Sequence, residues 1–270
     1  GGKGARAVVE VSGHDSEDSG IQVTTRYVLE PLGRTVLLET TLLNTGKEPV
    51  SGFEAGDVFQ WASARHFVPG PGYALSRDKV ASPWLAGVGD QVSYATVPEG
   101  TMWTIHGGAW SDSVIETFSL MPGRATTYRR RIAVGRSLGD VGGWAQSQIK
   151  GQMPRTLSGQ VIEAGGSAVP GVLLRVDRLS SKGNGRSHWI DVRSGDDGRF
   201  KVLVPEGQYE LVIYGGDRSG PKVAVHMVGD VDQQIEVTPP GRMNVQVFAD
   251  GLPSPHRLTV NGVDGTASPR

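Results

Sequence analysis

At 270 residues the chain is long enough for two modest domains, and 27 basic against 28 acidic residues leave a formal net charge of -1. With no excess positive field to drive counterion release, this balance argues against nucleic acid or an anionic membrane as a partner. Without cysteine there is neither a disulfide nor a thiolate metal site, and no apolar run reaches the ~20 residues of a membrane span.

Glycine is abundant, at 39 residues against 16 prolines, and the apolar runs are short and alternate with polar residues. That pattern predicts an all-β chain with many turns. Strands are expected at 7–12, 21–29, 34–43, 57–62, 91–97, 102–106, 113–120 and 125–134. In the second of these, Ile21, Val23, Thr25, Tyr27 and Leu29 share one face and Val28 breaks the alternation. Between the first two, Gly13-His14-Asp15-Ser16-Glu17-Asp18-Ser19-Gly20 holds three carboxylates, but it lacks the spacing that wraps a calcium ion and reads as a solvated hairpin loop.

The stretch from 64 to 89 is predicted to be a long irregular excursion. Its His66, Tyr73, Arg77 and Trp84 are candidates for contact with a ligand or a neighbouring domain, as is Trp110 beside a later loop. Trp84 is expected to be partly exposed, whereas Trp61 and Trp103 lie within strands and are assigned to packing. In Arg129-Arg130-Arg131 the middle guanidinium projects to the face opposite its neighbours, and the run is expected on a salt-bridged solvent face. A short helix over 142–150 and Gly151-Gln152-Met153-Pro154 close the first domain, 1–152.

Seven further strands are expected in a second domain, 153–240, as a Greek-key sandwich. Two of them lie in Arg199-Phe200-Lys201-Val202-Leu203-Val204-Pro205-Glu206-Gly207-Gln208-Tyr209-Glu210-Leu211-Val212, which reads as a hairpin. Gly198 and Gly207 are its turn positions, and Phe200, Tyr209 and Leu211 point to the core. Lys182-Gly183-Asn184-Gly185-Arg186 reads as a hairpin tip. After Pro239-Pro240 a partial β module, 241–270, echoes the opening of the second domain. With no initiating Met and an end inside that motif, the chain reads as a fragment.

Asp197 to Val212, with Ser158-Gly159-Gln160-Val161-Ile162-Glu163 and Val169-Pro170-Gly171-Val172, resembles the carboxypeptidase regulatory-like, transthyretin-like domain. Gly56-Asp57-Val58-Phe59-Gln60-Trp61 with Phe67-Val68-Pro69-Gly70-Pro71-Gly72 resembles the amino-terminal β domain of bacterial carbaryl hydrolase-like metallohydrolases of the PHP superfamily. Leu258 to Thr266 resembles the element upstream of their barrel. The large first domain is similar to the supersandwich domains of carbohydrate-active enzymes.

These resemblances imply an all-β protein, a large antiparallel sandwich followed by a Greek-key sandwich and the start of a third β element, in a periplasmic or secreted location. They also imply a missing C-terminal catalytic domain, for which this region would position or cover substrate. The six histidines are scattered with no His-x-His pair, and nucleophile-elbow, phosphate-loop and His-Glu-x-x-His motifs are absent, so no catalytic residue, metal ligand or cofactor is assigned here. The alternative is a β-sandwich module that binds carbohydrate or another cell-surface ligand.

Overall fold

The computed structural model describes residues 6–31, 33–61, 63–74, 79–106, 110–181, 185–214, 218–239, 246–249 and 252–253. The chain is essentially all-β with several antiparallel sheets. In chain order, the first eleven strands are β1 (Ala7–His14), β2 (Ile21–Leu29), β3 (Thr35–Asn44), β4 (Val50–Gln60), β5 (Arg65–Phe67), β6 (Val80–Ser82), β7 (Leu85–Val88), β8 (Ser93–Pro98), β9 (Trp103–His106), β10 (Trp110–Leu120) and β11 (Ala125–Gly135). They make a seven-stranded sheet, ordered β1-β2-β3-β11-β8-β7-β5, and a four-stranded sheet, ordered β4-β10-β9-β6.

Residues of the two sheets share cores. Ile21 and Leu42 of the large sheet pack with Ala55 and Leu120 of the small one, and Leu85 packs with Trp103, Ile105 and Ile115. The expected irregular excursion instead contains three short strands, of which β5 and β7 extend the large sheet and β6 the small one. Prolines and glycines hid them, because three or four residues are too few for a period to show.

The middle arginine departs from the expected solvent face. Strand parity sends it to the face opposite its neighbours, as expected, but that face is the inner one, where Arg130, 4% exposed, meets Asp57 of β4 through Nε–Oδ2 and Nη2–Oδ1 contacts of 2.7 and 2.6 Å. Arg129 and Arg131 stay outside, paired with Glu39 and Glu99. In the β1–β2 loop, Asp15 Oδ1 accepts from the amides of Glu17 and Asp18, so these side chains cap the turn.

Helix α1 (Leu138–Gln148) begins four residues before its expected start, where the Ser137 hydroxyl accepts from the Asp140 amide. It is followed by β12 (Arg155–Glu163), β13 (Leu173–Leu179), β14 (Arg186–Arg193), β15 (Arg199–Val204), β16 (Gly207–Ile213), β17 (Val223–Met227) and β18 (Val231–Val237). These form a three-stranded sheet, β15-β12-β18, with β12 and β18 parallel, and a four-stranded sheet, β14-β13-β16-β17. Two-residue strands β19 (Phe248–Ala249) and β20 (Leu252–Pro253) pair in the expected third module, most of which lies outside the described residues.

The predicted hairpin is corrected. β15 pairs with β12 and β16 with β13 and β17, so Pro205-Glu206 carries the chain from one sheet to the other. A tight two-residue hairpin turn needs φ > 0 at one or both of its central residues, which Pro205 cannot supply. The Tyr209 hydroxyl fixes the crossing by donating to the Pro205 carbonyl at 2.9 Å, and burial pushes this phenol above the usual tyrosine range.

The faces themselves are as read. Phe200, Tyr209 and Leu211 are buried while Lys201 is exposed, and Gly198 and Gly207 adopt φ of +72° and +153°. Phe200→Ala should therefore cost about 3–5 kcal/mol and Lys201→Ala less than about 0.5 kcal/mol in denaturant melts. Equal costs at the two positions would contradict this assignment of faces.

Candidate functional site

The residues between β5 and β7 build the contact between the first pair of sheets and the second. After β5 the chain runs along β14, where Gly70 and His188 exchange backbone hydrogen bonds at 2.9 and 3.0 Å. Gly72, at φ +70°, lies against the His188 ring, and a Cβ there would stand 2.4 Å from Nδ1. Only glycine fits this approach. Beside it, the buried Asp191 carboxylate receives the Tyr73 hydroxyl at 3.0 Å on Oδ2 and holds His188 Nε2 at 2.6 Å on Oδ1.

Desolvation first, then the Asp191 charge, pushes the Tyr73 phenol well above its ordinary range, which keeps it a donor. Phe67 packs edge-on against both Tyr73 and His188, and the Arg65 guanidinium lies 4.3 Å from the Tyr73 ring centre. The carboxylate is thus met from both units and enclosed by rings. This arrangement joins two parts of the molecule through a shared buried carboxylate.

Trp84 completes the contact from the apolar side. It is fully buried, contrary to the partial exposure expected, and stacks on Phe67 at 5.8 Å. At Gly142 of α1 a Cβ would meet Ile190 Cδ1 at 2.6 Å and the Trp84 ring at 3.0 Å, so the helix needs glycine to approach this closely. One buried cluster consequently runs from Phe67, Trp84 and Ala86 through Val141 and Ala145 to Ile190, Val202 and Tyr209.

The other sequence candidates lie apart from this contact or beyond description. The partly buried His66 ring sits 5.9 Å from that of Trp61, and desolvation lowers its pKa. Arg77 lies outside the described residues, and Trp110 opens β10 with its side chain outside them. Among the described residues no group of three or more His, Cys, Asp or Glu side chains is placed to hold a metal ion.

A cleft of about 670 Å³ opens beside strands β13, β14 and β16. Its walls are the end of β13, the start of β14 and the start of β16, and its lining includes Arg178, Ser180, Arg186, Ser187 and Gln208. Arg178 lies over the partly buried Trp189 ring, 5.0 Å from its centre, and its Nη2 donates to the Glu206 carbonyl at 3.4 Å. Arg186 is held by Glu210, Nη1 to Oε1 at 2.7 Å. Sequence reading treated 182–186 as a plain hairpin tip. It missed the cleft because the opposite wall comes from residues more than twenty positions further along the chain.

No family model matches the chain, and no curated protein matches it. Among solved structures, the chain is similar to the galactosidase domain of an α-galactosidase-sucrose kinase, at 9% identity over 59% of this chain and 29% of that one, with a TM-score of 0.41. The GH36 α-galactosidase AgaA of Geobacillus stearothermophilus aligns at 13% identity over 58% and 29% of the two chains, TM-score 0.37. The α-galactosidase of Lactobacillus brevis aligns at 9% over 58% and 28%, TM-score 0.37. The chain spans less than a third of the length of these galactosidases.

The resemblance to PHP-superfamily metallohydrolases and their regulatory-like domain is thereby corrected. No family model of that group matches the chain, and galactosidase chains, not metallohydrolases, are among the solved structures it is similar to. The motif that carried the resemblance has a local explanation. Asp57 partners Arg130, Phe67 fills the shared core, and Gly70 and Gly72 lie against His188. The role as accessory region of a metallohydrolase falls with it.

Proposed function

We propose that the chain is a carbohydrate-binding β-sandwich module whose ligand occupies the cleft beside Arg178. The observation that carries this reading is the cleft's lining, with two guanidinium groups, a carboxamide and serine hydroxyls around a volume of about 670 Å³. A sugar ring presents adjacent hydroxyls that each donate and accept. Planar guanidinium and amide groups pair with neighbouring oxygens, and serine hydroxyls rotate to suit. Arg178 resting on Trp189 and Arg186 tied to Glu210 are held before a ligand arrives, which lowers the entropy lost on binding. The architecture that fits this role is a large sandwich over 1–152, a Greek-key sandwich over 153–240 and the start of a third β element over 241–270.

Screening the chain on a glycan array, followed by calorimetric titration with the best ligand, tests the reading. Arg178→Ala and Gln208→Ala should each weaken binding, the first by about 10- to 100-fold if a charged hydrogen bond is lost. Melting temperatures should be nearly unchanged. A glycan that binds equally well to both variants would place the site elsewhere, and failure of every glycan to bind would end the proposal.

A further inference from the structure

Strand β1 is an open edge with an apolar side. All eight of its residues are exposed, including Val8, Val9 and Val11, and among the described residues it pairs only with β2. Its sequence, Ala7-Val8-Val9-Glu10-Val11-Ser12-Gly13-His14, has neither proline nor lysine, and its pairing with β2 runs without a bulge. Edge strands normally carry one of these devices to block further pairing.

The register shows which way the apolar side faces. Val9 stands opposite Tyr27, Tyr27 opposite Leu38, and Leu38 opposite the inward-pointing Arg130. Ala7, Val9 and Val11 therefore continue, with Leu29 and Tyr27, the inner face of the seven-stranded sheet. At Tyr27 and Leu29 that face has run out from under the four-stranded sheet, and both side chains are 40% exposed. An apolar strip bordered by a row of free backbone donors and acceptors asks for another strand.

We propose that the strip and edge are covered by a second copy of this chain, β1 pairing antiparallel with β1 of the partner about a twofold axis at Val9. Charge and apolar matching together choose this register, because centring on Val8, although it would face Arg6 with Glu10, leaves Val11 opposite residue 5, outside the strand. Rotation about an axis normal to the sheet keeps each face on its own side, so facing residues must have numbers of equal parity. Centring on Glu10 would oppose two carboxylates. Centring on Val9 opposes it to itself, Ala7 to Val11 and Val8 to Glu10, and sets Arg6 diagonally beside the other chain's Glu10. The inner face then becomes an unbroken apolar strip across both copies. The strip is at the small end of protein interfaces, so the pairing is concentration-dependent.

The natural lack of cysteine makes the register directly readable. In light scattering the full chain should rise from 28.7 kDa towards twice that as concentration increases. Val9→Cys should cross-link to a covalent dimer under mild oxidation, and Val8→Cys, which faces Glu10, should do so far less. Val9→Lys should abolish the dimer while leaving thermal melting of the monomer unchanged, since the side chain it replaces is solvent-exposed. A single-chain mass at every concentration, a dimer that survives Val9→Lys, or equal cross-linking at positions 8 and 9 would each overturn the proposal.

Discussion

Trp84→Ala is expected to destabilise the protein by about 3–5 kcal/mol and to split a single thermal unfolding transition into two. The indole is fully buried where three elements converge, stacked on Phe67 of β5 and close against Gly142 of α1 and Ile190 of β14. Removing it opens a void that strands β7 and β14 cannot fill, because each is held in its own sheet by its ladder.

The same void would interrupt the continuous cluster beside Phe67 and α1, leaving the apolar contacts of the helix and those of Phe67, Gly70 and Tyr73 with His188 and Asp191 to hold the two units together. Trp84→Phe should cost much less. The indole N–H is buried and has no hydrogen-bond partner among the described residues, so the residue's contribution is volume and stacking. Calorimetry decides the matter. Two transitions in the parent chain, or a melt unchanged by Trp84→Ala, would show that the units do not share a core.

What could be read from the sequence was whatever depends on the two-residue period. The alternation at Phe200, Lys201 and Val202 marks inside and outside correctly, since it follows from the pleat alone. The same alternation cannot say which sheet a strand joins, and so the segment from Arg199 to Val212 read as a hairpin although Pro205-Glu206 crosses between sheets. Alternation was also a poor guide to burial in β2. Ile21 is enclosed, Tyr27 and Leu29 of the same face lie beyond the second sheet, and Val28 on the other face is buried. The cleft stayed hidden for a related reason, because the start of β16 meets the end of β13 and the start of β14 only through the way the strands assemble.

Arg130 shows the limit most sharply, and it yields the second large effect. That it points opposite to its neighbours follows from strand parity, but that this face is buried does not, because its partner Asp57 lies 73 residues away in the other sheet. Asp57→Leu is expected to cost about 3–5 kcal/mol, because it leaves a guanidinium in the core without its counter-charge. Arg130→Met should cost less, since the Asp57 side chain is 19% exposed against 4% for Arg130 and the surviving carboxylate can reach water. The double variant Asp57→Leu with Arg130→Met should recover most of the loss, because two apolar side chains of similar volume avoid the desolvation that the ion pair must offset. Chemical denaturation of the four proteins gives the coupling energy directly. Additive losses in the double variant would mean that the two side chains act independently and that Arg130 is not an inter-sheet strut.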